Sequence, residues 1–129
     1  MTIDDLQIIL EQSLGMNVIR EENTLITAWN LGGGMLREIL LFVDDETQLV
    51  YISTRFEERV TDQTMLAGLL KENLKLAIVK FSMDKEGQIL AVAEIPLEIL
   101  TDEMLRRGIH AIYTAIERFY ELWSAVADQ

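Results

Sequence analysis

Few side chains in this 129-residue sequence could carry acid–base or nucleophilic chemistry. The chain has one histidine, His110, and no cysteine. The helical spacing around His110 puts it with Arg106, Arg107 and Thr114, on the face opposite the apolar stripe of the same helix. No nucleophile or orienting group stands at a spacing that would make His110 a general base. We therefore expect His110 to be solvent-exposed, and we predict no catalytic residue.

Clusters of acidic residues are the next candidates, because hard cations such as Ca²⁺ and Mg²⁺ take carboxylate oxygens as ligands. One cluster is Asp44, Asp45 and Glu46, and another is Asp84 with Glu86. Neither has the alternating acids and terminal bidentate glutamate of a calcium loop. Both stand where hairpin turns need polar residues. We interpret both clusters as solvated turns and predict no metal site and no cofactor.

Three consecutive glycines, Gly32 to Gly34, could in principle cradle a phosphate. A phosphate loop joins a strand to a helix N-terminus and usually adds a lysine. Here the residues that follow have the pattern of a strand, and no lysine is near. The glycines therefore predict a flexible hairpin connection rather than a phosphate site.

The composition narrows the classes of partner. Eleven Lys and Arg residues oppose 22 Asp and Glu residues, so the formal net charge is −11 at pH 7. Such a charge repels nucleic acid and anionic lipid alike, and the acidic N-terminus does not resemble a signal peptide. We expect one domain over residues 1–129, in the cytoplasm, with no nucleic-acid or membrane partner.

The hydrophobic spacing predicts three helices and five strands. The helices are expected over residues 2–14, with Thr2 as N-cap and Gly15 as the stop, from Thr61 or Asp62 to about Asn73, and from Thr101 onward. The predicted strands are Thr24–Asn30, Met35–Val43, Gln48–Thr54, Lys75–Met83 and Gln88–Ile95. The order α-β-β-β-α-β-β-α indicates an α+β fold with an antiparallel sheet of about five strands and segregated helices.

The predicted strands carry apolar residues on both of their sides. An antiparallel strand with one solvated face should alternate between apolar and polar residues, yet Leu36, Leu40 and Phe42 stand opposite Ile39 and Leu41. Both faces of the sheet are therefore expected to be partly covered. The three helices could cover both faces, or they could cover one and leave the other to a partner or a second copy.

One set of residues follows from this pattern as the candidate partner-binding or dimer surface. The set comprises apolar residues of the second face, together with an aromatic residue beside the glycine loop that could anchor a partner. Its members are Trp29, Leu36, Leu40, Phe42, Leu90 and Val92.

The second half of the chain resembles the YbjN family. The resemblance is carried by Phe81-Ser82-Met83-Asp84-Lys85-Glu86-Gly87-Gln88-Ile89, then Glu94-Ile95-Pro96-Leu97, then Leu100-Thr101-Asp102-Glu103-Met104-Leu105. It extends from about Lys80 to Trp123, and the order of elements is similar to that of class I type III secretion chaperones. The resemblance implies a small acidic protein, often a homodimer, that binds polypeptide or regulates rather than catalyses.

Three functions remain open on the sequence. The leading one is a non-enzymatic chaperone-like or regulatory module that binds a protein or peptide client as a homodimer. A small-molecule-binding protein or enzyme, with its pocket between sheet and helices, is the first alternative. An assembly factor or structural subunit is the second.

Overall fold

The computed structural model describes residues 1–32 and 35–127, without the side chains of residues 29–32, 35 and 127. Over these residues the chain forms three α-helices and six strands, with one π-helical and one 3₁₀ segment. The helical segments are α1 Ile3–Ile8, its π-helical continuation Ile9–Ser13, α2 Gln63–Lys75, the 3₁₀ segment Leu97–Ile99 and α3 Asp102–Ala127. The strands are β1 Ile19–Glu21, β2 Thr24–Gly32, β3 Met35–Asp44, β4 Leu49–Arg55, β5 Val79–Met83 and β6 Ile89–Pro96.

Side-chain caps fix where the helices begin. Thr2 forms a capping box with Asp5, and Asp62 accepts a hydrogen bond from the Met65 N–H at 3.0 Å. Thr101 accepts one from the Met104 N–H at 3.1 Å. Each bond satisfies an N–H group that has no partner within its helix, so the predicted helix starts are confirmed.

The strands form one antiparallel sheet in the order β1-β2-β3-β4-β6-β5. The predicted α+β class is confirmed, but the sheet has six strands rather than about five. The additional strand β1 pairs with the start of β2 and has three exposed residues. A strand this short and exposed carries no alternation of apolar and polar residues, so the sequence does not reveal it.

The helices cover only one face of the sheet. Every second residue of β4 and β6 is buried on that face, including Ile52 and Ile95. Helix α3 packs there closely, since a Cβ on Gly108 would lie 2.7 Å from the Cδ1 of Ile52. At the far end of α3, Phe119 stacks on Phe56 with ring centroids 3.9 Å apart. The two faces are therefore not both covered, and of the two arrangements left open, the helices adopt the one-sided one.

The connection between α2 and β5 differs from the prediction. Residues 75–78, expected to begin a strand, instead end α2 and turn into β5, which starts at Val79. The side chain of Asn73 hydrogen-bonds both the N–H and the C=O of Phe81, at 2.7 and 3.1 Å. The Nζ of Lys80 donates to the C=O of Asn73 at 2.7 Å. These tertiary bonds hold the helix end against the strand, which local apolar spacing cannot predict.

The apolar residues that form one stripe along α2 are only partly buried. Met65 and Leu69 are buried as expected, but the side chains of Leu70 and Leu74 are 69% and 88% exposed. Helical spacing locates this stripe, but it does not fix how much of the stripe the sheet covers. Apolar side chains at this level of exposure mark a surface on which another molecule can dock.

The close approach of α3 to the sheet gives a test. We expect Gly108→Val to lower the free energy of unfolding by about 1–3 kcal/mol, because the added methyl groups overpack the contact with Ile52 and Ile95. Urea denaturation measures the change. Ala125→Val, at an exposed position of the same helix, is the control for helix propensity. A loss at Gly108 no larger than at Ala125 would contradict this packing.

Candidate protein-binding surface

The uncovered side of the sheet, here called the open face, carries five of the six residues predicted as a binding surface. Within the described part of the chain, no helix packs on this side, and none of these five side chains is buried. They are Leu36, Leu40 and Phe42 of β3 and Leu90 and Val92 of β6. The side chain of the sixth, Trp29, lies outside the described residues.

The strand register brings the predicted residues together across the sheet. Leu40 pairs with Ser53 of β4, and Ser53 pairs with Val92 of β6. On the other side, Leu40 pairs with Ile26 of β2. This row of the open face therefore has apolar side chains on β2, β3 and β6. Only the small hydroxyl of Ser53 on β4 interrupts it.

An aromatic pair extends the open face, and the sequence reasoning named only one of its members, Phe42, and missed Tyr51. Phe42 and Tyr51 are register partners, and their rings stack with centroids 4.9 Å apart. Tyr51 alternates with the buried Val50 and Ile52, so the period-2 pattern of that strand already placed it on the second face. What the sequence lacked was the pairing register that sets Tyr51 directly opposite Phe42.

A broad depression of about 690 Å³ lies on the open face. Leu36, Leu40 and Leu90 supply its apolar part, while Glu38 and Arg55 supply charges of both signs. The side chain of Leu36 is 65% exposed. The lining is about half apolar and half polar, a mixture close to that of protein–protein interfaces.

A buried charged group holds the start of β3 in place. The Arg37 side chain is 9% exposed and lies 3.6 Å from the Oε1 of Glu58. That oxygen also accepts a hydrogen bond from the Tyr120 hydroxyl at 3.1 Å. The guanidinium lies 5.3 Å from the centre of the Tyr120 ring. Strand β3, the loop after β4 and helix α3 are thereby tied together directly behind Leu36.

The acidic clusters lie in turns, where the sequence predicted them. Asp84 accepts hydrogen bonds from the N–H groups of Gln88 and Glu86, both at 2.9 Å. The Gln88 bond is the main cause that lowers the pKa of Asp84 below its ordinary value. Asp44 accepts a similar bond from Glu46 at 3.0 Å. These carboxylates brace the backbone of their own turns. Asp84 also pairs with Arg55 of β4, whose Nη2 lies 2.9 Å from its Oδ2.

Within residues 1–32 and 35–127, no group of three or more His, Asp or Glu side chains is arranged to hold a metal ion. His110 is exposed on α3, as predicted. Over the same residues no helix is long and apolar enough to cross a bilayer.

A second apolar surface, here called the α2/β5 groove, lies at the other end of the sheet. It has a volume of about 280 Å³ between the outer face of α2 and β5. Leu66 and Leu70 line it from the helix, and Met83 lines it from the strand. The side chain of Met83 is 51% exposed, so the groove adds to the exposed apolar surface of α2.

The chain matches a known protein-family model over most of its length. The family described as "YbjN: Putative bacterial sensory transduction regulator" matches residues 15–123. No curated protein matches the chain.

Solved structures resemble the chain over most of its length. A chain of the HopA1–SchA chaperone-effector complex is 20% identical, with a TM-score of 0.68 over 92% of each chain. YbjN from E. coli is 18% identical, with a TM-score of 0.66 over 90% of this chain and 89% of that one. A chain of the ExoU–SpcU complex from the type III secretion system of Pseudomonas aeruginosa is 17% identical, with a TM-score of 0.66 over 88% and 93%. The expected likeness to secretion chaperones is confirmed at the level of the fold.

The buried pair behind Leu36 predicts a stability effect. We expect Glu58→Ala to lower the free energy of unfolding by about 3 kcal/mol, because it leaves the Arg37 guanidinium buried without its carboxylate. Adding Arg37→Met to Glu58→Ala should restore part of the loss, since the double variant buries no unpaired charge. Urea denaturation of the three proteins measures both effects. Glu98→Ala, at an exposed carboxylate, is the control, and a Glu58→Ala loss equal to that control would refute the coupling.

Proposed function

The chain belongs to the YbjN family, and we propose that it is a cytoplasmic, non-enzymatic protein-binding module that acts as a homodimer. Its partner is a polypeptide, as for a chaperone or a regulator, and the open face receives it. In this proposal residues 1–129 act as one binding domain. The resemblance predicted from residues 80–123 is confirmed over the longer stretch 15–123.

The open face is the observation that carries this proposal. Burial of apolar surface contributes about 25 cal/mol per Å². In the described part of the chain no helix covers the apolar side chains of this face, so a partner that covered them would gain this free energy. The residues predicted to bind a partner, Leu36, Leu40, Phe42, Leu90 and Val92, lie together there. An uncovered apolar sheet face is stabilised when another chain covers it.

The structural neighbours support a protein as the partner. The matched chains of HopA1–SchA and ExoU–SpcU each come from a complex of two proteins, the first described as a chaperone with its effector. This chain shares their fold, and its own sheet exposes apolar residues on the open face. An enzyme has less support, because the carboxylates of Asp44 and Asp84 are engaged in bracing turns rather than converging on a cleft.

The homodimer is assigned in this proposal to the α2/β5 groove. Leu70 and Leu74 are the most exposed large apolar residues that the structure describes. Leu70 lines the groove together with Met83, and Leu74 lies one turn further along α2. Two copies that face each other through α2 would bury these side chains mutually, in a self-complementary interface. The open face of each copy then remains available to a client.

The client surface is tested by affinity capture of the tagged protein from its native lysate. We expect Leu36→Asp with Leu90→Asp to lower the recovery of the specific partners at least tenfold, because charges replace apolar contacts at the centre of the open face. Quantitative mass spectrometry of the eluate measures the recovery. Ile99→Asp, at a position 56% exposed and outside the open face, is the matched control. Equal recovery by all three proteins, or no specific partner, would contradict the proposal.

The dimer surface is tested separately. Multi-angle light scattering of the wild-type protein should give twice the mass of one chain, and Leu70→Glu with Leu74→Glu should give the mass of one. Both side chains are exposed in the single chain, so circular dichroism should show the fold retained. The open-face variant should stay dimeric. A dimeric Leu70/Leu74 variant would refute this interface without affecting the client surface.

A further inference from the structure

The lysines of this acidic chain are concentrated in one region. All four, Lys71, Lys75, Lys80 and Lys85, lie within residues 71–85. The fold sets Lys75 across from Arg106 and Arg107 of α3. Between them is an open cleft of about 450 Å³, here called the α2/α3 cleft, bounded by residues 75–79 and by the outer face of α3. Cations distant in sequence therefore line one cleft in a protein whose net charge is −11.

The rim of the α2/α3 cleft keeps an excess of positive charge. The side chains of Lys75, Arg106 and Arg107 are 73%, 60% and 65% exposed. Among the described residues, Glu103 is the one carboxylate that lines the cleft, and it pairs with both arginines, at 3.0 and 3.4 Å. Glu72 lies outside the lining but stands 3.8 Å from the Nζ of Lys75, so three cations face two carboxylates. Each guanidinium has further donors beyond this bond, so carboxylates of an incoming molecule can still pair with the rim.

The floor of the cleft contains a strained apolar residue. Ile78 has a φ of +74°, and the Val79 N–H donates to the C=O of Ala77 at 2.8 Å, which together define a γ-turn. A β-branched residue at positive φ is a rare outlier, and such strain is concentrated at functional sites. Ile78 is 39% exposed. The strain therefore does not serve to complete the core and instead holds an apolar side chain at the cleft.

We propose that the α2/α3 cleft binds an acidic amphipathic segment of a partner protein. An apolar side chain of that segment packs on Ile78, while its carboxylates pair with Lys75, Arg106 and Arg107. Arginine forks match carboxylates in geometry as well as charge, and the apolar floor favours a peptide over a small inorganic anion. The cleft shares no lining residue with the open face, so this inference and the client surface can fail independently.

The test uses a defined probe, a fluorescein-labelled 18-residue amphipathic helix with Leu on one face and Glu on the other. Fluorescence anisotropy measures its Kd for the full chain, beside a scrambled peptide and a peptide with Lys in place of Glu. We expect Lys75→Glu with Arg107→Glu to raise the Kd at least tenfold at low salt. Lys85→Glu with Arg59→Glu, the same charge change at exposed positions outside the cleft, should change it less than twofold.

Chemical shifts of the ¹⁵N-labelled chain locate the peptide. We expect perturbations over residues 75–79 and 103–114. Shifts confined to the open face or the α2/β5 groove, equal binding of the scrambled or Lys peptide, or no binding would overturn the proposal. Self-association of the wild-type chain that Lys75→Glu with Arg107→Glu abolishes would also overturn it, since the occupant would then be a second copy.

Substitution of the strained residue separates binding from stability. Glycine adopts positive φ without steric cost, so Ile78→Gly should keep the thermal unfolding midpoint at or above that of the wild type. The same variant should raise the Kd for the acidic peptide at least threefold, because the apolar contact is gone. An unchanged Kd, or a midpoint lowered by more than about 5 °C, a shift that corresponds to roughly 1 kcal/mol in a domain of this size, would assign Ile78 to the fold rather than to the cleft.

Discussion

The packing of α3 against one side of the sheet is the constraint from which the other features follow. Its backbone approaches the sheet at Gly108, and its far end stacks Phe119 on Phe56. Because the helix lies so close to the sheet, every second residue of β4 and β6 is buried on that side. The strands carry apolar residues on both sides, and α1 and α2 add to the same layer. The apolar surface of the sheet is therefore larger than the area that the helices cover. The uncovered part is the open face.

Local chemistry made much of this fold predictable. Thr2, Asp62 and Thr101 carry the side-chain oxygens that cap helices. The β3–β4 and β5–β6 hairpins were located by their β-rich runs and by the polar turns between them. The face on which the candidate residues lie was also predictable, since strand parity alone sets Leu40 and Leu90 opposite the core. What parity cannot decide is which side the helices occupy, because that depends on packing between segments distant in sequence. The short strand β1, the exposure of Leu70 and the γ-turn at Ile78 depend on tertiary contacts in the same way.

Net charge and charge distribution carry different information in this chain. The total of −11 argues against phosphate-rich partners. In the acidic turns, the carboxylates of Asp44 and Asp84 accept hydrogen bonds from backbone N–H groups of the same turn. Five of the 11 cations, in contrast, lie on the second half of α2 and on α3, and three of them line one cleft. Solved structures below 25% identity share the arrangement of sheet and helices with this chain. The surface side chains, rather than the fold, are therefore where members of this structural class can differ in what they bind.

The contact between Asn73 and Phe81 limits how this chain can associate. A free edge strand exposes backbone groups on which any extended peptide can add, and the side chain of Asn73 already occupies the outward N–H and C=O at the centre of β5. The opposite edge is the three-residue strand β1, too short to template a long pairing. Attachment at these edges is thus restricted, and side-chain recognition on the faces is favoured over backbone zippering. Such a molecule can bind specific partners through its faces while it resists the open-ended strand addition of cross-β aggregates.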